Sequence, residues 1–384
     1  MRIAINLVGD ENWFGGVVYI RNLLQALNLL PAGERKKFKL ILVVSPKQKA
    51  VQELVVSLAD EVYCSSIFYR ASKRLPLWLR SNFLSLFNPT QCDIMFPVLE
   101  PYAYPFSYCG WIPDFQHDYL PHLYTDGELE KVKSKYSKVS TAPLVVLSSD
   151  MALSDFKRIY PQQANRGKVL KFASYSEPSY FEGDPLQVQS KYNLPANFFL
   201  VSNQFWAHKN HKLLVEAVSV LKNKGIRPCI VCTGKKEDYR NPNYFSKIEA
   251  LIKQKDVVEN FRILGMIPRD DQMMLMRRAL AVIQPSLFEG WSTVLEDAKS
   301  LGKPLIVSDF PVHIEQVGKK MWVFPRDDAE RLAVCMQEAI DLLNPGPNFI
   351  EEEKAREKNL KEMQAFGRNF LAIANECLAW RIGS

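Results

Sequence analysis

Residues 279–313, ALAVIQPSLFEGWSTVLEDAKSLGKPLIVSDFPVH, constrain the fold more than any other stretch of the chain. The apolar run at 279–283 is too short for a free-standing helix and is closed by Pro285, which predicts a buried strand running into a turn. Phe288, Glu289, Gly290 and Trp291 form the loop that follows. A helix then starts at Ser292 or Thr293 and meets no proline before Pro304. Thr293 followed by Glu296 fits a capping box, in which the hydroxyl takes one free amide and the carboxylate reaches back to another. Gly302 closes this helix, and 303–308 reads as the next buried strand.

Strand, loop, helix and strand in that order make half of a doubly wound unit, and such folds bind ligands at the carboxyl ends of their strands. The uncapped amides of the helix start suit a diphosphate. Two carboxylates flank that seat, Glu289 and either Glu296 or Asp297. Carboxylates repel phosphate, so their natural partners here are sugar hydroxyls. A plain strand-to-helix junction with surface acids accounts for the spacing equally well.

At 384 residues the chain exceeds one ordinary core and suits two domains. Its 47% hydrophobic and 24% charged residues are those of a globular protein. The net charge of +7 suits nucleotide diphosphates, acidic lipid surfaces or nucleic acid, and scattered surface lysine explains it as well. No run of apolar residues is long enough to span a membrane, and Met1 leads straight into a strand, so neither a span nor a signal peptide is expected. The seven cysteines are scattered, as in reduced cytoplasmic proteins. Cys229 and Cys232 form a CxxC within an apolar run, where strand geometry turns them to opposite faces and argues against a shared metal.

The first half opens with a strand at 2–7, a loop ending in Gly15 and Gly16, and a helix at 17–29. Glycine there lets backbone approach a ligand or simply turns the chain. The spacing is not GxGxxG, which argues against a dinucleotide oxidoreductase. Strands at 38–44, 93–96 and 144–147 alternate with helical patterns, the rhythm of a parallel sheet. Residues 67–87 interleave basic and aromatic side chains, either as a lip on anionic lipid or as a packed loop and helix; Pro76 favours packing. In the stretch 111–121, WIPDFQHDYLP, Asp114 and His117 can present a polar pair to a cleft, with His117 bonding a hydroxyl or assisting proton transfer. Ser148, Ser149 and Asp150 cap a helix, and 173–184 reads as the interdomain linker.

The second half has strands at 198–202, 229–233 and 261–264 and helices at 212–222, 244–254, 271–278 and 327–343. Lys209 precedes a helix start, where its ammonium can neutralise a departing diphosphate. His208 and His211 lack a third metal ligand. Gly265 is placed to edge a base or to make a turn. After the breaker at 344–347, two amphipathic patterns at 351–365 and 368–381 finish the chain.

FEGWSTVLEDAKSLGKPLIVSD resembles the donor-site signature of retaining glycosyltransferase family 4, which has seven residues between two glutamates. Glu289 and Glu296 enclose six residues and Glu289 and Asp297 seven. Asp297 also keeps the family's distance to Gly302, so the resemblance assigns it the second carboxylate and leaves Glu296 the cap. QFWAHKNHKLLVEA resembles the family's phosphate loop, where an Arg and a Lys grip the diphosphate. Lys209 keeps its place, and Gln204 stands where the Arg is expected. The family also carries a similar glycine loop after its first strand, and a His-Asp pair contacting the transferred sugar after the strand that leads into 111–121; here Pro113 stands where that His would be, and the resemblance leaves His117 to replace it.

The resemblance implies an α/β protein of the GT-B fold: two Rossmann-like, doubly wound parallel-sheet domains facing a central cleft. The N-terminal acceptor-binding domain is expected at 1–175 and the nucleotide-sugar-binding domain at 176–365, with a helix at 366–384 crossing back. It implies a metal-independent hexosyltransferase with no cofactor, consistent with the lack of a D-x-D pair. The donor is a UDP- or GDP-sugar and the acceptor a glycan or lipid-linked hydroxyl in polysaccharide assembly. Such an enzyme works in the cytoplasm, with peripheral contact to the inner face of an anionic membrane, and not on nucleic acid. Lys209, Glu289, His117 and Asp114 are the implied catalytic residues. Gly15, Gly16, Gln204, Gly265, Gly290, Ser292, Thr293, Val294, Glu296 and Asp297 are the implied donor contacts. A nucleotide-sugar 2-epimerase and an inactive sugar-nucleotide binder are the rival readings.

Overall fold

A computed structural model describes residues 1–10, 13–64, 90–101, 104–318 and 322–382; the basic and aromatic stretch at 67–87 lies outside them. Among the described residues, seven strands form one sheet: β1 (Arg2–Asn6), β2 (Lys39–Val44), β3 (Glu61–Cys64), β4 (Ile94–Val98), β5 (Ser107–Ile112), β6 (Leu144–Leu147) and β7 (Gly167–Val169), in the order 3-2-1-4-5-6-7. Six more form a second sheet: β8 (Phe199–Ser202), β9 (Ile230–Thr233), β10 (Phe261–Gly265), β11 (Val282–Gln284), β12 (Leu305–Ser308) and β13 (Trp322–Phe324), in the order 10-9-8-11-12-13. Neighbouring strands pair in parallel throughout. Parallel pairing requires a long crossover, which helices between the strands supply.

The second sheet shows why its strands read as unbroken apolar runs. Successive side chains on a strand point to opposite faces. Phe199, Val201, Ile230, Cys232, Ala281, Ile283 and Ile306 join one core with residues of the helices His211–Asn223 and Ala329–Leu342. Phe198, Leu200, Val231, Val282, Leu305 and Val307 join another, with residues of Arg269–Arg278 and Thr293–Ser300. Both faces are covered, so no polar alternation survives. Cys229 and Cys232 follow the same geometry: the first packs against the second core, the second lies in the first, and burial pushes the Cys232 thiol up to about 12.

The chain divides into two compact units. One comprises Met1–Phe115, Asp126–Tyr175 and the chain from Leu360 on; the other comprises Gln116–Thr125 and Ser176–Asn359. Several features depart from the sequence reading. Residues 116–125, read as part of the N-terminal domain, cluster with the second unit, which itself ends at Asn359 and not at 365. The two C-terminal amphipathic patterns form one helix, Phe349–Ile382, since nothing between 365 and 368 breaks it. Gly367 lies within that helix because a Cβ there would stand 2.8 Å from the Ala26 carbonyl oxygen of the first unit's helix Phe14–Asn28. The strand expected at 279–283 is shifted to β11, and the expected linker holds a short helix, Ser179–Glu182.

Candidate functional site

The order of the second sheet reverses between β8 and β11, and open α/β sheets bind ligands beyond the carboxyl ends of strands at such a switch point. Lys209 follows β8 and Glu289 follows β11. Although 80 positions apart, Lys209 Nζ lies 2.6 Å from Glu289 Oε1. Local structure makes this meeting possible. After β8 a single 3₁₀ turn, Ala207–Lys209, ends at Asn210, whose φ of +57° is a left-handed conformation that asparagine tolerates. The Asn210 amide donates to the carbonyls of Pro285 and Arg326 at 3.2 and 2.9 Å, tying this turn to the loop after β11.

Beneath the ion pair runs a buried polar chain. Gln284, wholly buried at the end of β11, accepts from Asn203 Nδ2 at 2.9 Å and donates to Glu289 Oε1 at 2.8 Å and to Ser286 Oγ at 3.1 Å. Ser308, at the end of β12, donates its one hydroxyl proton to the Ser286 carbonyl at 2.7 Å. The contact of that hydroxyl with His313 Nδ1 at 2.9 Å therefore places the proton on the imidazole nitrogen. Burial pushes the Glu289 carboxyl up, but the Lys209 cation outweighs it and holds the group below the usual carboxylate range, so it is ionised. The histidines around it stay neutral. Burial, followed by the cation of Lys209, pushes His211 down to about 3, and burial holds His313 at about 4 and His208 well below its ordinary value.

The helix Thr293–Ser300 corrects the expected capping box. Its N-cap is Ser292, whose hydroxyl accepts from the Leu295 amide at 3.4 Å. Gln316 supports this register: its side chain accepts from the Ser292 amide at 2.9 Å and donates to the Ser292 carbonyl at 3.0 Å. The cap is thus a residue earlier than the Thr293–Glu296 box expected. The Glu296 carboxylate takes Lys299 at 3.0 Å and the Gln316 amide at 3.0 Å. Asp297 is held by both terminal nitrogens of Arg269, at 2.6 and 2.7 Å, and is 1% exposed. Both acids thus already hold cations. No cap reaches the amides of Thr293 and Val294 among the described residues, so the helix start keeps donors for an anion.

The remaining expected residues fall around this centre or in the first unit. Gln204 lies half-buried just past β8, and its side-chain oxygen is buried without a hydrogen-bond partner among the described residues. Gly265 ends β10 with a φ of +70°, and its carbonyl accepts from the Gly234 amide at 2.8 Å. Gly290 is half-buried in the Glu289 loop. Gly16 packs against the chain after β1, where a Cβ would lie 3.0 Å from the Val8 carbonyl oxygen, whereas a Cβ on Gly15 would meet nothing closer than 3.8 Å. Asp114 follows β5 in the first unit, while His117, buried on the short helix Gln116–Tyr119, clusters with the second. His117 Nε2 lies 3.7 Å from the Asp118 carboxylate.

Sequence reading passed over Asn203, Gln284 and Ser308, because a polar residue at the end of a strand reads only as the end of the strand, and over His313 and Gln316, which lie on the helix Pro311–Val317. It also passed over Gly234 as a site residue. A Cβ there would stand 2.3 Å from the Asn203 carbonyl oxygen, so glycine lets the turn after β9 close on the turn after β8. Among the described residues no group of three or more His, Cys, Asp or Glu is placed to hold a metal ion, and no helix is long and apolar enough to cross a membrane.

Known proteins resemble the chain in sequence and in fold. Residues 185–359 match the family model of the glycosyl transferases group 1. A putative glycosyltransferase of Bacillus subtilis, EpsF, is 32% identical over 106 residues, 28% of this chain and 26% of the relative. The O-antigen chain mannosyltransferase RfbU of Salmonella typhimurium is 24% identical over 221 residues, 55% of this chain and 56% of the relative. The chain thus spans about a quarter of the first relative and just over half of the second. The crystal structure of Anabaena Alr3699/HepE in complex with UDP and glucose superposes with a TM-score of 0.67 over 98% of this chain and all of that one, at 13% identity. The fold is GT-B. The matched segment contains the whole Lys209–Glu289 centre.

Proposed function

We propose that the protein is a glycosyltransferase of the retaining family 4 type that moves a hexose from a UDP- or GDP-sugar to a hydroxyl of a glycan or lipid-linked acceptor. The single observation that carries the reading is the 2.6 Å meeting of Lys209 and Glu289 at the β8–β11 switch point. It sets a cation for a diphosphate beside a carboxylate for sugar hydroxyls. The match of residues 185–359 and the printed activities of the relatives support the same class.

The chemistry follows from the charges. As the sugar–phosphate bond breaks, negative charge grows on the diphosphate, where Lys209 and the amides of Thr293 and Val294 stabilise it. Lysine has three N–H donors, so Lys209 can serve a phosphate oxygen while keeping Glu289. Glu289, held ionised by Lys209 and hydrogen-bonded by Gln284, is a weak nucleophile. That favours a sugar cation held in one ion pair and attacked by the acceptor hydroxyl from the face the diphosphate leaves, the hydroxyl proton passing to the departing phosphate oxygen. The site asks for no metal in this scheme. Work at an anionic membrane surface in the cytoplasm is in keeping with the net charge of +7.

The test is incubation with a panel of UDP- and GDP-hexoses and lipid-linked or glycan acceptors in the presence of EDTA, with the product linkage read by NMR. An α-linked product from an α-linked donor is expected. Inverted linkage overturns retention, loss of transfer on chelation overturns metal independence, and interconversion of sugar nucleotides without acceptor makes the protein an epimerase.

A further inference from the structure

Arg240, in the connection between β9 and the helix Tyr244–Gln254, joins three segments that are distant in sequence. Its side chain is 7% exposed. The guanidinium carbon lies 5.3 Å from the ring centre of Tyr124 and 5.3 Å from that of Trp206. Nη1 donates at 2.9 Å to Gln116 Oε1, which also accepts the Tyr124 hydroxyl at 2.9 Å. Nη2 stands 3.4 Å from His208 Nδ1. The His208 ring, kept neutral by burial and then by Lys209 and Arg240, has a lone pair to offer that N–H. Asp238 steadies the base of the arrangement: one oxygen accepts the Arg240 amide at 3.0 Å and the other the Ala207 amide at 3.4 Å.

The segment so held is unusual in the chain. Gln116–Thr125 packs within the second unit while both of its ends continue into chain of the first. It carries His117, and its Tyr119 ring lies 5.2 Å from Phe288, the neighbour of Glu289. One guanidinium thus links this segment to the Trp206–His208 turn that leads into Lys209, while the segment's own tyrosine rests on the Glu289 loop.

We propose that Arg240 is a positioning residue that fastens Gln116–Thr125 to the turn carrying Lys209, and so sets His117 and Tyr119 in register with the Lys209–Glu289 pair. The inference rests on the reading of that pair as the donor site. Lysine cannot take the role, because a compact ammonium neither stacks between two rings nor donates along two directions in one plane.

The test uses the full chain with Arg240→Ala and Arg240→Lys. Hydrogen–deuterium exchange is followed in peptides covering 116–125 and, as a control for global opening, in the helix His211–Asn223. In both variants exchange at 116–125 should quicken about tenfold while the helix is unchanged. Transfer from the UDP- or GDP-hexose active with wild type should lose about 100-fold in kcat/KM, the scale of a small misplacement near the reacting atoms. Added guanidinium chloride, at millimolar concentrations that leave the fold intact, should restore part of it in Arg240→Ala only. Unchanged exchange at 116–125, or equal quickening in the helix, overturns the latch. Local quickening with undiminished kcat/KM, or loss without guanidinium rescue, overturns its positioning role. If wild type transfers no hexose, the donor-site reading fails and the positioning role with it, while the exchange arm still decides whether the latch exists.

Discussion

Lys209 and Glu289 are a buried pair whose members cannot be removed independently. The Lys209 side chain is 15% exposed and that of Glu289 10%, so Lys209→Ala strands a carboxylate in the interior. That variant should lose about 3–5 kcal/mol of stability in denaturant unfolding. Its kcat should also fall by the factor that corresponds to about 2–4 kcal/mol of lost transition-state stabilisation. The double variant Lys209→Met, Glu289→Gln separates the two effects: it should recover most of the stability and none of the turnover. Recovery of turnover would remove the charges from the mechanism. Both residues could be read from the chain, one before a helix start and the other in a loop after an apolar run. Their joint support could not. Asn203 and Gln284 are 81 positions apart, and their hydrogen bond exists only because β8 and β11 are neighbours in the sheet.

At the scale of elements, the helix Thr293–Ser300 was legible to within one residue. Ser292 and Thr293 are both common caps, and Gln316, 24 positions on, adds its side-chain bonds to the backbone of the first. The two carboxylates that follow were visible as a pair, whereas their cations, Lys299 and Arg269, follow from packing. Burial then ranks two ion pairs by what their loss should cost. Glu352 anchors the start of the helix Phe349–Ile382 through both oxygens to Arg277, whose side chain is 1% exposed. Arg269, the partner of Asp297, is 33% exposed. Glu352→Ala should therefore cost about 3–5 kcal/mol in urea unfolding, and Asp297→Ala distinctly less, because solvent screens the stranded guanidinium. Equal losses would contradict the ranking. Donor affinity by calorimetry should fall for Asp297→Ala only if that carboxylate exchanges Arg269 for a sugar hydroxyl.

For the whole molecule, the alternation of short apolar runs with helices made two doubly wound sheets legible, since covering both faces erases the polar alternation that would mark a half-exposed strand. The placement of 116–125 was not legible, because the segment is continuous in sequence with one unit and packs in the other. The neutral histidines around Lys209 give the protein a pH signature. An unfolded histidine titrates near about 6.5, while His313 and His211 in the folded chain are held at about 4 and about 3. Between those values the unfolded state binds more protons, so stability should fall as pH drops from about 6.5 toward 4, by up to about 1.4 kcal/mol per pH unit for each such group. Glu289, whose folded value is depressed, adds its own loss at still lower pH. Urea unfolding across pH 4–7 reads this slope, and His313→Asn, which keeps a donor toward Ser308, should make it shallower.

The most direct test of the donor site is a crystal structure of the protein with an unreacted UDP- or GDP-hexose analogue. The account predicts a phosphate oxygen within hydrogen-bond distance of Lys209 Nζ and a sugar hydroxyl on Glu289. A diphosphate bound away from Lys209, or a hexose out of reach of Glu289, would contradict it.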